Sequence, residues 1–88
     1  MRKYFCISFT FGAVLRTLRQ KSGYSQEELA ERAHIDKSYV SLLEQGKRQP
    51  SIIVLFKIAD ALEVSPTKFI AMLEKDLPKE NHEPNFSK

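Results

Sequence analysis

The sequence predicts an all-α domain of five short helices. Three observations point there. Apolar residues recur at helical spacing in successive short stretches, and capping residues stand between those stretches. The whole chain is 88 residues, 42% of them hydrophobic, which is enough for one modest core. That size excludes a catalytic cleft between two domains.

The expected domain covers residues 10–74, between a lead-in of residues 1–9 and a polar tail of residues 75–88. Tyr4 to Phe9 reads either as a short strand or as an unwound lead-in. Arg2-Lys3 ahead of the uncharged run Tyr4–Leu15 imitates the start of a secretory signal. Arg16 and Arg19 follow directly without a small-residue cleavage site, and a run of about twelve residues is too short to span a bilayer. The first helix is expected over Phe11 to Lys21, with Phe11, Val14, Leu15 and Leu18 on one stripe and Gly23 just past its end.

Ser25 with Glu28 three residues on is a capping box, and it opens a second helix that stops near Ala33. His34-Ile35-Asp36 leaves room only for a tight turn. Asp36 is then the N-cap of a third helix, Lys37 to about Gln45, with Val40 and Leu43 inward and Gly46 ending it. A basic loop, Lys47-Arg48-Gln49-Pro50, leads to Ser51 as the cap of a fourth helix reaching about Leu62. Ile52-Ile53-Val54-Leu55-Phe56 would also pass as a buried strand. Helix is preferred because the apolar pattern continues through Ala59 and Leu62, and eleven residues is long for a strand. Ser65-Pro66 supplies an N-cap and an N1 proline for a fifth helix to about Leu73.

Charge is uneven along the chain. Residues 1–50 carry nine basic and five acidic side chains, and residues 51–88 carry five basic and six acidic ones. A basic half invites an anionic partner, nucleic acid first, although a solubilising surface would look the same. The single Cys6 cannot form an internal disulfide, which favours a reducing, cytoplasmic setting. With two separated histidines there is no metal-site spacing, no cofactor is expected, and Glu27-Glu28 serves a helix start rather than acid–base chemistry.

The stretch Gln26–Gln45 carries the most information. Two short helices meet across a three-residue turn, with Leu29, Ala30, Ala33, Ile35, Val40 and Leu43 apolar. This is a helix-turn-helix pattern. Ala30 is small where the helices must cross closely, Ile35 plugs the turn, and Ser38, Ser41 and Leu42 face outward where a major groove would be read.

Over Phe11 to Leu73 the sequence resembles the Xre-like family, which includes the lambdoid phage repressors and Cro proteins. The phrases Leu-Arg-Thr-Leu-Arg-Gln-Lys-Ser-Gly-Tyr-Ser-Gln-Glu-Glu-Leu-Ala and Ser-Tyr-Val-Ser-Leu-Leu-Glu-Gln-Gly-Lys-Arg-Gln-Pro-Ser carry the likeness. The resemblance implies a lambda-repressor-like DNA-binding domain. It matches Gln26 to a glutamine that touches a phosphate and braces the recognition helix. Lys37, Ser38, Ser41 and Leu42 match positions facing base edges, and Tyr39, Lys47 and Arg48 match positions approaching the backbone. Arg19 and Glu44 match a structural, largely buried salt bridge. Two departures stand out: His34 and Glu63 occupy places where the family often has Gly.

The function expected is transcriptional regulation by a homodimer on an inverted-repeat operator, as in a phage regulator or a restriction-modification controller protein. The alternative is a protein-interaction module such as an antitoxin, with a toxin or RNA polymerase as partner. The last two helices have apolar residues on more than one face. Surplus apolar surface marks an association site, expected here at Phe69, Met72 and Leu73 with Ile53 and Val54 at its margin.

Overall fold

The computed structural model describes residues 7–78. Among them are five α-helices: α1 (Ile7–Ser22), α2 (Gln26–Ala33), α3 (Lys37–Glu44), α4 (Ile52–Ala61) and α5 (Pro66–Asp76). The β-branched run at the start of α4 is helical. Two boundaries differ from expectation. Ile7–Phe9 belong to α1, where the half-buried Ile7 faces a small cleft shared with Phe11, Pro50, Leu55 and Leu73. Tyr4–Cys6, and the tail from residue 79, lie outside the described residues. At the other end α5 runs on to Asp76, past Met72 and Leu73, which pack against the core.

Serine starts three of the helices. The hydroxyls of Ser25, Ser51 and Ser65 each accept the backbone N–H three residues on, at 3.0, 3.1 and 3.0 Å. Glu28 completes the capping box by accepting the Ser25 N–H at 2.8 Å. Asp36 holds the N-cap position of α3 without a side-chain capping bond, so its carboxylate acts there through charge at the positive helix end.

One motif ends α1 to α4. In each, an N–H bonds back to the carbonyl five residues earlier: Tyr24 to Arg19, Ile35 to Ala30, Lys47 to Leu42 and Val64 to Ala59. This Schellman closure needs a left-handed residue just before the returning N–H. Gly23 and Gly46 supply it at φ 79 and 77°, and His34 and Glu63 do so at φ 59 and 60°. The two departures from the family's glycines thus keep the same turn, with a strained backbone.

The core is built from Phe11, Val14, Leu15 and Leu18 of α1, Leu29, Ala30 and Ala33 of α2, Val40 and Leu43 of α3, and the inner faces of α4 and α5. Phe69 corrects the expectation that placed it on an association surface. Its side chain is 0% exposed and its ring stacks on Phe11, with centroids 5.1 Å apart. The reason is geometric: α5 packs on α1, which turns Phe69 inward and leaves Ile70 outside. Val54, Met72 and Leu73 are half-buried against the core, whereas Ile53 is 68% exposed. Other surplus apolar surface comes from Ile52, Phe56 and Ile70.

Candidate nucleic-acid interface

α2 and α3 form the helix-turn-helix, and the rest of the molecule fixes their angle. Buried Ala30 and Ala33 keep α2 close to its neighbours, and Ile35 packs under the turn. α3 also lies unusually close to α1. A Cβ on Gly12 would sit 2.4 Å from the Leu43 carbonyl oxygen and 2.6 Å from that of Glu44, closer than such atoms approach. A hydrogen at this position is therefore what lets α1 and α3 touch backbone to backbone.

Glu44 bolts the assembly. Its side chain is 2% exposed, and it accepts Arg19 Nε at 2.6 Å and Arg19 Nη2 at 3.1 Å. Gln26 Nε2 donates to the same carboxylate at 2.9 Å, and Arg19 Nη1 donates to the Tyr24 carbonyl at 2.9 Å. The hydrogen bond to Glu44 raises the Arg19 pKa above its ordinary value; partial burial opposes this and the carboxylate's charge adds to it. One buried acid thereby ties α1, the start of α2 and the end of α3 together. Arg32 lies over the Tyr24 ring, 4.4 Å from its centroid, and steadies the loop between α1 and α2.

With α3 held in this way, Lys37 and Ser38 are exposed at its N-terminal end, with half-buried Ser41 and Leu42 one turn on. Together with Gln26 they line an open depression of about 430 Å³. Beside it runs a groove of about 590 Å³ where α1 meets the C-terminal end of α3, with Lys47 at its rim. The two share Gln26 and Ser41.

The helix-turn-helix family matches residues 15–69 of the chain. The chain belongs to the helix-turn-helix family. Members of it are DNA-binding transcriptional regulators. The control protein C.MunI of a Mycoplasma species is 35% identical over 71 residues, which cover 80% of this helix-turn-helix chain and 96% of that one. An HTH-type transcriptional regulator of Sinorhizobium fredii is 37% identical over 59 residues, covering 67% and 77% of the two chains. Among solved structures, the restriction-modification controller protein C.AhdI of Aeromonas hydrophila is 40% identical and superimposes with a TM-score of 0.69. That match covers 70% of this chain and 94% of C.AhdI.

On this helix-turn-helix scaffold the residues singled out from the sequence lie in three settings. Gln26, Lys37, Ser38, Ser41 and Leu42 share the depression. Lys47 borders the groove, and exposed Arg48 follows it in the loop. Tyr39 is half-buried against the core, and its hydroxyl donates to the Gln49 carbonyl at 3.2 Å, bracing the loop that carries both cations. Sequence reasoning missed Arg16, Thr17 and Gln45, which also line the groove. Spacing held the signal for two of them: Gln45 lies four residues after Ser41, and Arg16 three before Arg19, so each shares a helix face with a residue already singled out.

Among the described residues no group of three or more His, Cys, Asp or Glu is placed to hold a metal ion. No described helix is long and apolar enough to cross a membrane.

Proposed function

We propose that the chain is a sequence-specific regulator that binds duplex DNA as a homodimer on an inverted repeat. The observation that carries this reading is α3 itself. It is clamped from behind by buried Glu44, while Lys37, Ser38, Ser41 and Leu42 face outward in one depression. In a major groove these side chains would read base edges. Gln26, Tyr39, Lys47 and Arg48 would approach phosphates and set the register without carrying sequence information.

The dimer reading rests on the outer face of α4 and α5. Ile52, Ile53, Phe56 and Ile70 are 69%, 68%, 53% and 44% exposed. An open, mainly apolar groove of about 470 Å³ lies between the two helices. A second copy with the same patch covers it by two-fold symmetry. Two α3 helices would then enter successive major grooves about 34 Å apart, which requires an inverted repeat.

Likeness to controller proteins supports a regulator of that kind, acting through occupancy of a promoter. Selection of bound duplexes from a random pool tests this directly. The expected result is a two-fold symmetric motif that also lies near the chain's own promoter. Enrichment of no motif would contradict the proposal.

A further inference from the structure

We propose that α1 belongs to the DNA interface: Arg16 and Thr17, with Lys47 across the groove, hold a backbone phosphodiester, and Glu44 positions the Arg16 guanidinium for it. This rests on the reading of α3 as the recognition helix.

Around Glu44 positive charge exceeds negative. Arg19 donates to that carboxylate through two nitrogens, and Gln26 through a third bond. One negative charge is therefore already balanced by one positive charge, and both acceptor sites of Oε1 are engaged. Arg16 brings a second guanidinium to the same acid, but its Nε stops 3.8 Å from Glu44 Oε1. Its side chain is 60% exposed, against 11% for Arg19. Arg19 is the structural partner, and Arg16 is surplus charge held by the acid at the groove wall.

Lys47 adds a second cation to that wall, and Glu44 is the acid among the lining residues. Neutral polar groups share the lining with the cations. Thr17 offers a hydroxyl. Gln45 gives one amide hydrogen to Ser41 Oγ at 2.9 Å and keeps the other for a ligand. Phe9, 69% exposed, and Ala13 add an apolar stretch to the wall, which suits a deoxyribose face.

The ligand that suits this wall is an anion with several acceptor oxygens and an apolar flank. The groove shares Gln26 and Ser41 with the reading depression. A strand whose bases face α3 would bring its backbone to the surface beside that helix, where this groove lies. A phosphodiester of the bound duplex meets each requirement.

The test measures affinity for a selected and a random duplex between 50 and 200 mM salt, for wild type, Arg16→Gln, Arg16→Lys and Lys57→Gln, the last on the exposed side of α4. Arg16→Gln removes one contact from each protomer, so it should lower the salt slope of the dimer by about two, and its deficit against wild type should shrink about tenfold across that range, equally on both duplexes. Arg16→Lys should keep the wild-type slope, and Lys57→Gln should leave it unchanged. A scan of single neutral methylphosphonates should find one position in each half-site that weakens wild type but not Arg16→Gln. A wild-type slope for Arg16→Gln, or an equal loss for Lys57→Gln, overturns the assignment while leaving the recognition role of α3 standing. Failure of wild type to bind any duplex overturns that role, and this inference with it.

Discussion

Glu44 is the residue on which both the fold and the site turn. It is nearly inaccessible and receives donors from α1 and α2 while belonging to α3. Removing its charge strands Arg19, whose side chain is only 11% exposed. Leaving one partner of a buried pair unmatched costs about 3–5 kcal/mol, a large part of a small domain's stability. Glu44→Gln should therefore lower the urea midpoint sharply, and a midpoint equal to wild type would contradict the bolt. Because Glu44 raises the Arg19 pKa, the stabilisation by Arg19 is fully present below the ordinary arginine range and is lost only at strongly alkaline pH. Arg19 thus gives no slope in stability near neutrality. At this scale the pairing of Arg19 with Glu44 was legible through the family resemblance, since neither residue type alone points to the other across 25 positions. Phe69 was not, because α5 has apolar residues on several faces and only packing on α1 decides which turns inward.

At the scale of elements, the helices are delimited by local chemistry that can be read one turn at a time. Ser25, Ser51 and Ser65 cap through their own hydroxyls, and the fifth helix follows a proline at its start. The C-terminal ends of the helices are harder. Both His34 and Glu63 adopt the left-handed conformation that glycine takes more easily, so the closures they form depend on the returning bonds of Ile35 and Val64. The Arg19–Glu44 match implied that α1 meets α3, but not how closely their backbones approach. Gly12 lies inside a helix, where glycine ordinarily weakens the element, and only the nearness of the Leu43 and Glu44 carbonyls explains it. Gly12→Ala should raise intrinsic helix propensity yet destabilise the domain by about 3 kcal/mol, since the clash is with backbone rather than with a flexible side chain. Equilibrium unfolding of the variant checks this, and a gain in stability would show that α1 and α3 can separate without loss.

For the whole molecule, two faces have distinct chemistry. One joins α1, α2, α3 and the Lys47-Arg48 loop into a polar, cationic surface, and the other exposes Ile52, Ile53, Phe56 and Ile70 from α4 and α5. The charge asymmetry of the chain anticipated the first face. The second was anticipated as a region and misassigned at Phe69, because a helix with surplus apolar residues does not reveal which of them the core takes. Sedimentation separates the roles. Phe56→Glu, at an exposed position, should give a folded monomer at micromolar concentration. Phe69→Glu buries a charge beside Phe11 and should lose helical signal instead. A fully dimeric Phe56→Glu would place the association surface elsewhere, and a folded Phe69→Glu would contradict the place of Phe69 in the core.

The central claim is that α3 reads sequence while its surroundings only hold it against the duplex. The most direct measurement is parallel selection of random duplexes by wild type, a Lys37→Ala, Ser38→Ala variant and a Lys47→Ala, Arg48→Ala variant. The loop variant should recover the wild-type motif with uniformly weaker binding, because phosphate contacts do not discriminate among bases. The α3 variant should relax or change the motif in each half-site, with about 1–3 kcal/mol of discrimination lost where a good contact is removed. Identical motifs from wild type and the α3 variant would contradict the claim.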